Sequence, residues 1–269
     1  MLARTGKAVV LIVVALLLIM AMLPFVLMVV NAFQNTVTLN FDFDPDSFTS
    51  ENFVRLFTVH HFGAALLTST VVVVIAVVLN NVVCCLAAFA FTFKPFPGSK
   101  ILFWVYLATM MVPVQVTMIP MFLIFRELDM LGSPLSLALP VVNAFGVFLI
   151  RQFMTTIPLS LLEAARIDGA SDLRVFWSVV LPIIRPVIVS LTVFTFLTTW
   201  NDFMWPLISL QTNERTTVTL AISQLQGAFT SQYGMVMAGT TVAFLVPLVV
   251  YVVLQRQFVQ GVTASGVKG

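Results

Sequence analysis

Charge is scarce in this chain. Of 269 residues only 9% are charged, 13 basic and 11 acidic, and only two are histidine. Soluble domains carry roughly a quarter charged residues. A chain this poor in charge and 60% apolar cannot cover a globule with a water-compatible surface, so lipid must be its solvent. The net charge of +2 provides no field that would gather nucleic acid. Groups that do chemistry are just as sparse. There is no glycine-rich loop ending in lysine to cradle a nucleotide, no His-Glu-x-x-His, no Ser–His–Asp set and no paired acids within an apolar run. ATP binding by the chain itself and intramembrane catalysis both lack their residues. Cys84 and Cys85 are neighbours in an apolar run. Disulfide geometry needs Cβ atoms that face each other, so the pair reads as small apolar filler. His60 and His61 have no acid or cysteine at ligand spacing and read as a solvated helix entry rather than a metal site.

What the chain has is long apolar runs. A bilayer core of about 30 Å takes about 20 helical residues at 1.5 Å each. Six spans are expected, at about Val9–Asn31, Ala64–Phe93, Ile101–Phe125, Pro134–Ile150, Ile183–Leu210 and Gly234–Leu254. The chain thus reads as an all-α membrane protein: an N-terminus over 1–8, a membrane domain over 9–258 and a tail over 259–269. The first run is longer than the roughly 7–15 apolar residues of a secretory signal, and five more come after it, so it is expected to stay as a transmembrane helix. Orientation is set by the basic residues. With the N-terminus inside, Arg4, Lys7, Lys94, Lys100, Arg151, Arg166, Arg174, Arg185, Arg256 and Lys268 face the cytoplasm; only Arg55, Arg126 and Arg215 lie outside. Both termini and the segment 153–182 are therefore expected to be cytoplasmic.

Several polar or breaking residues interrupt the runs. Lys94-Pro95-Phe96-Pro97-Gly98 is a tight inner turn held in the headgroup layer. The third span carries Pro113, Gln115, Thr117 and Pro120, which allow either a gate or a fixed kink. Gln115 and Asn143 must face another helix or water, as lining of a substrate path or as interhelical glue. Trp200-Asn201-Asp202-Phe203 lies seventeen steps beyond Ile183, about 26 Å along a helix, hence near the outer end of the fifth span. Trp200, Asn201 and Asp202 are candidates for an outer gate or substrate cavity; anchoring in the membrane interface is the other reading. Gly234, Ala238 and Gly239 are small enough for close packing against the fifth span or a partner subunit. The outer connection Phe33–Gly63 is acidic and aromatic, with Asp42, Asp44, Asp46 and Glu51 among Phe41, Phe43, Phe48 and Phe53. It suits a docking surface for an external partner, or a capped helix lying on the membrane interface.

The longest stretch of mixed polarity is Glu163-Ala164-Ala165-Arg166-Ile167-Asp168-Gly169-Ala170, followed by Val179-Val180-Leu181-Pro182. Ser160, three residues before Glu163, has capping-box spacing and predicts a helix over Leu161–Asp168. Gly169 is free to end it in the left-handed conformation, and Ser171 can cap a second short helix running to a break at Leu181-Pro182. The result is a helical elbow whose Ala pair lets a partner approach closely.

These residues resemble the EAA loop of ABC importer permeases: Glu-Ala-Ala, three residues, Gly, nine residues, Ile, one residue, Leu-Pro. Val179 stands in the Ile position. The Trp200–Phe203 region and the tail Gly261–Gly269 are similar to those of carbohydrate-uptake permeases, in particular the group related to the maltose importer's second permease. The resemblance implies a type I importer permease fold. It assigns Glu163, Ala164, Ala165, Asp168, Gly169, Leu181 and Pro182 to coupling with an ATPase, and lets the tail reach between ATPase subunits. It further implies a second homologous permease, two ATP-binding-cassette subunits holding the ATP and magnesium, an extracytoplasmic solute-binding protein, and a bacterial inner membrane. The chain itself would be a non-catalytic subunit forming half of a pathway for a sugar or related polar solute. A proton-coupled secondary transporter is the alternative. It needs an ionisable residue deep in a span, and only the shallow Asp202 offers one.

Overall fold

The computed structural model describes residues 2–38, 47–210, 215–228 and 232–263. In chain order the helices are α1 (Leu2–Ala32), α2 (Glu51–Thr58), α3 (Phe62–Phe93), α4 (Ser99–Ala108), α5 (Val114–Glu127), α6 (Pro134–Ala138) and α7 (Ala144–Met154). They continue with α8 (Leu159–Ile167), α9 (Asp172–Val175), α10 (Leu181–Trp200), α11 (Met204–Ser209), α12 (Val218–Ala228) and α13 (Tyr233–Thr263). Valine, isoleucine and phenylalanine disfavour isolated helices, but in lipid a backbone must satisfy its own hydrogen bonds, and the helix does so within one segment. Among the described residues, four helical stretches are long and apolar enough to cross a membrane: Val9–Ala32, Phe62–Phe93, Asp172–Trp200 and Tyr233–Gln255. The number reaches six if each of two bent helix pairs counts as one span.

The chain divides into two compact units, Met1–Ala65 with Leu220–Val246, and Leu66–Thr219 with Pro247–Gly269. In the first, Asn52 on α2 donates from Nδ2 to the carbonyls of Ala32 (3.0 Å) and Gln34 (2.9 Å). Ala32 ends α1, so this side chain satisfies a carbonyl that the helix leaves without a partner. The Phe33 and Phe53 rings pack at 4.7 Å beside it. Gly234 lies against the Gln34 carbonyl, where a Cβ would collide with backbone. Gly239 faces Leu225, Leu56 and Phe62. These glycines serve close packing as expected, but against α2, α12 and the start of α3 rather than the fifth span. Glu51 opens α2 and is exposed, whereas Asp42, Asp44 and Asp46 lie outside the described residues.

In the second unit, α3, α7 and α10 close around Cys84, Cys85, Ala88, Val147, Ile150 and Leu191. Both cysteines are free and buried. A Cβ on Gly146 would stand 2.5 Å from Cys84 Sγ and 3.3 Å from Leu191, so only glycine lets α7 approach this closely.

Three spans are bent or bounded differently from the expected runs. The third bends by 104° between Met111 and Val114. Val112 is extended (ψ 119°), as a residue before proline tends to be, and Pro113 restarts the chain as the cap of α5. The fourth bends by 47° at Val142-Asn143 and then runs on to Met154, beyond the expected end at Ile150. The fifth stops at Trp200 instead of Leu210; Asn201 closes it and α11 starts afresh at Met204. Helix α13 continues to Thr263, into the tail expected over 259–269; residues 264–269 lie outside the described residues.

Gly146→Ala is expected to lower the thermal stability of the detergent-solubilised protein by about 1–3 kcal/mol through overpacking. Adding Cys84→Ala should recover most of that loss. Thermal unfolding checks both, and an unchanged midpoint in the single variant would contradict the close approach.

Candidate functional site: the helical elbow and the polar points of the bundle

Helix α8 begins at Leu159, capped by Pro158, so Ser160 lies inside it and makes no cap. The capping-box spacing was outweighed by Pro158, whose fixed φ suits the entrance of a helix. The helix end is as the sequence predicts. Gly169 has φ +80°, its N–H donates to the Arg166 carbonyl (3.0 Å), and the Ala170 N–H donates to the Ala165 carbonyl (3.0 Å). This paired pattern satisfies two carbonyls at the helix end and needs a left-handed residue at one position. A Cβ at Gly169 would meet nothing within 4 Å. Glycine is therefore required by backbone conformation and not by space.

Ser171 then caps α9, its hydroxyl accepting from the Arg174 N–H at 3.4 Å. The expected break at Leu181-Pro182 is absent. Residues Phe176–Val180 form a π-helical turn that joins α9 to α10. Proline lacks the N–H and its ring crowds the carbonyl four residues back; the wider turn before Pro182 relieves both. The elbow and the fifth span are thus one helical piece, Asp172–Trp200. At about 43 Å it exceeds the bilayer core, leaving its first turns outside.

Leu162 fastens the elbow. It is 2% exposed and packs with Phe89, Ile150, Met154, Val175 and Phe176. Burying such a side chain stabilises by about 1.5–3 kcal/mol. Asp172 adds ion pairs to Lys94 at 2.5 Å and to Arg166 at 3.5 Å. The hydrogen bond from Lys94 holds the Asp172 carboxyl below the usual carboxylate range. These groups are half exposed, so the pairs set the angle of the elbow more than they stabilise it. The opposite face is open. Glu163, Ala164, Asp168, Gly169 and Pro182 are exposed, with Ala165 and Leu181 half-buried. Around them Leu159, Leu161, Ile167, Leu173 and Trp177 leave apolar side chains uncovered, Ile167 at 86%. The ridge that carries Glu163 and Asp168 is thus flanked by uncovered apolar side chains.

The other candidate residues do not form one cluster. Gln115 is exposed just past the bend at Pro113. Asn143 spends its amide locally: Oδ1 accepts from the Gly146 N–H (3.1 Å) and Nδ2 donates to the Val141 carbonyl (3.0 Å). It is a helix cap. Trp200 is 3% exposed and stacks on Phe196; Trp205 is 3% exposed and donates to the Ser136 carbonyl at 2.8 Å. Neither is an exposed belt residue. Asn201 donates to the Leu197 carbonyl (2.8 Å), and Asp202 accepts from the Trp205 N–H (3.5 Å) while its carbonyl accepts from Thr219 (2.7 Å). Helix α10 therefore ends in a tightly hydrogen-bonded corner.

Sequence reading passed over Asn80 and Asn81, although two adjacent amides in a 32-residue apolar helix are a visible signal. Asn80 is buried and donates to Thr195 (2.8 Å); Asn81 donates to Thr192 (2.9 Å). Together they stitch α3 to α10 midway along both. Among the described residues no group of three His, Cys, Asp or Glu side chains that could hold a metal comes together.

Helices long and apolar enough to cross a bilayer, with two bent pairs beside them, define an integral membrane protein. Residues 80–264 match the family described as "Binding-protein-dependent transport system inner membrane component", and the chain belongs to that family. It is 38% identical over 162 residues to the lactose transport system permease protein LacG of Rhizobium radiobacter, covering 60% of this chain and 59% of that one. It is 27% identical over 238 residues to the arabinooligosaccharides transport system permease protein AraQ of Halalkalibacterium halodurans, covering 88% and 85%. The sn-glycerol-3-phosphate transport system permease protein UgpE of Pectobacterium atrosepticum is 38% identical over 183 residues, covering 67% and 65%. The alignments thus span less than two thirds of the lactose and glycerol-phosphate proteins. The fold is that of a chain in a bacterial ABC transporter that imports the acidic polysaccharide alginate, with a TM-score of 0.82, 21% identity, and coverage of 95% and 97%.

The Asn80–Thr195 bond is expected to couple the two helices energetically. A double-mutant cycle with Asn80→Ala and Thr195→Val, read by thermal unfolding in detergent, should give a coupling of about 0.6–1.7 kcal/mol. Additive effects would mean the bond contributes nothing across the helices.

Proposed function

We propose that this chain is the permease subunit of an ATP-driven importer and forms half of the translocation pathway for a sugar or related polar solute. The observation that carries the proposal is the elbow. It is rigidly ended at Gly169, anchored by Leu162, continuous with a membrane helix, and bare on the face bearing Glu163 and Ala164. Such a piece transmits a push at its tip to the span behind it. The importer is completed by a second homologous permease, two ATPase subunits that hold the nucleotide and magnesium, and an external solute-binding protein. Both termini and the elbow are cytoplasmic, as the basic residues favour. Closure of the ATPase pair drags the elbow, and α10 carries the movement to the corner at Asn201-Asp202. The cavity then opens outward and accepts the solute from the binding protein. The bias between states comes from the contacts the ATPase makes in each. Relatives named for lactose, arabinooligosaccharide and sn-glycerol-3-phosphate transport support a hydroxyl-rich solute. Gln115, Asn81 and the Asn201-Asp202 corner are polar points that such a solute would meet.

Gly169→Val should uncouple ATP hydrolysis from uptake, because an ordinary side chain in the left-handed region costs about 1–2 kcal/mol and β-branching raises that cost. Gly169→Asn should retain most uptake, since asparagine tolerates that conformation. Glu163→Lys should uncouple as Gly169→Val does. Solute uptake and ATPase activity measured together in vesicles check all three, and normal uptake in Gly169→Val and Glu163→Lys would remove the docking role. Asp202→Ala is expected to weaken uptake without preventing assembly; unaltered uptake would reduce Asp202 to a structural corner residue.

A further inference from the structure

A second feature lies at the same end of the bundle and has no part in the elbow's work. Phe91, Ser99, Lys100, Phe103, Trp104 and Arg151 line a cavity of about 210 Å³ between the ends of α3 and α7 and the start of α4. Two of the six are cations and none is acidic. The nearby acid on α9, Asp172, is already paired with Lys94 and Arg166. The Arg151 guanidinium carbon lies over the Phe103 ring, 4.2 Å from its centroid. Its Nε is buried and has no hydrogen-bond partner among the described residues. A buried guanidinium N–H without an acceptor is costly, and the group that best relieves it is an anionic oxygen.

The outer wall of the cavity is apolar. Ile101, Leu102, Trp104 and Val105 on α4 are between 51% and 72% exposed. Bare apolar side chains that follow directly on a basic turn suit contact with acyl chains beneath a headgroup layer. The volume is smaller than the roughly 300–1,000 Å³ of pockets for drug-sized ligands, and suits a compact head with its tails outside. We propose that this cavity binds the phosphodiester head of an anionic phospholipid. Lys100 and Arg151 take the phosphate, Ser99 offers a hydroxyl, and the acyl chains lie along α4. The assignment of this lipid to the cytoplasmic leaflet rests on the orientation proposed above; the binding itself does not. An occupied site would pin the start of α4 against α7, and so brace the bundle behind the elbow.

The test is native mass spectrometry of the full-length chain in its solubilised importer complex, incubated with phosphatidylglycerol or phosphatidylcholine. Each cation near the surface contributes about a fivefold preference for anionic lipid, so the pair should give roughly thirtyfold. Lys100→Gln is an exposed change that should fold normally and lose about fivefold. The Lys100→Gln/Arg151→Gln pair should abolish the preference, Arg151→Lys should keep most of it, and Arg126→Gln, an equal charge change on α5, should leave it intact. Equal retention of the two lipids would overturn the proposal. So would equal loss in Arg126→Gln, or displacement of the lipid by millimolar inorganic phosphate, which would make the site one for free phosphate. None of these readouts depends on transport activity, so they are independent of whether the elbow couples to an ATPase.

Discussion

The left-handed turn at Gly169 is the constraint on which the elbow depends. Without it α8 would run on past Asp168, Ala170 would not return to the core, and Asp172 could not reach Lys94 and Arg166. With it, the chain turns within the four residues 168–171 and enters α9. Two kinds of force then hold the reversal. Apolar burial at Leu162, Val175 and Phe176 supplies most of the stabilisation, and the half-exposed ion pairs fix the angle. The result is a stiff protrusion with one face anchored and one bare.

Stiffness matters because the elbow leads directly into a membrane span. A break at Pro182 would have made a hinge, and movement at the tip would have been absorbed there. The π-helical turn over Phe176–Val180 keeps the helix continuous through the proline, so no break separates the elbow from the span up to Trp200. At the far end, Asn201 donates to the Leu197 carbonyl, the Asp202 carbonyl accepts from the Thr219 hydroxyl, and Trp205 is tied to Ser136. The bonds Asn80–Thr195 and Asn81–Thr192 link the same helix to α3 at mid-length. One helical piece therefore connects the exposed elbow, the amide–hydroxyl bonds to α3 and the polar corner.

Much of this was legible in the sequence. The scarcity of charge forced a membrane solvent, the apolar runs located the helices, and Gly169 and Ser171 marked the turn and the second cap. The failures share a cause. Pro113, Asn143 and Pro182 are all helix-interrupting residues, yet one gave a 104° bend, one a capped 47° bend and one no break at all. A breaker states that regular hydrogen bonding must change; neighbouring helices decide how. Ser160 lost the cap to Pro158 for a similar reason, two adjacent local signals competing for one helix start. The roles of the tryptophans were not readable either, since lipid belt and buried packing use the same residue at the same depth. Asn80 and Asn81 were readable but carry no breaker beside them, and a pair of amides in an unbroken helix is a quieter signal than a single polar residue next to a proline.

The most direct measurement is the accessibility of a single introduced cysteine at Ala164 on the exposed face of the elbow. Cys84 and Cys85 are buried and leave it as the accessible thiol. A membrane-impermeant maleimide should label Ala164→Cys in inside-out vesicles and not in right-side-out ones, and the cognate ATPase subunits should protect it. Labelling from the outer side, or equal labelling with and without the ATPase, would contradict the elbow as the point where the motor engages.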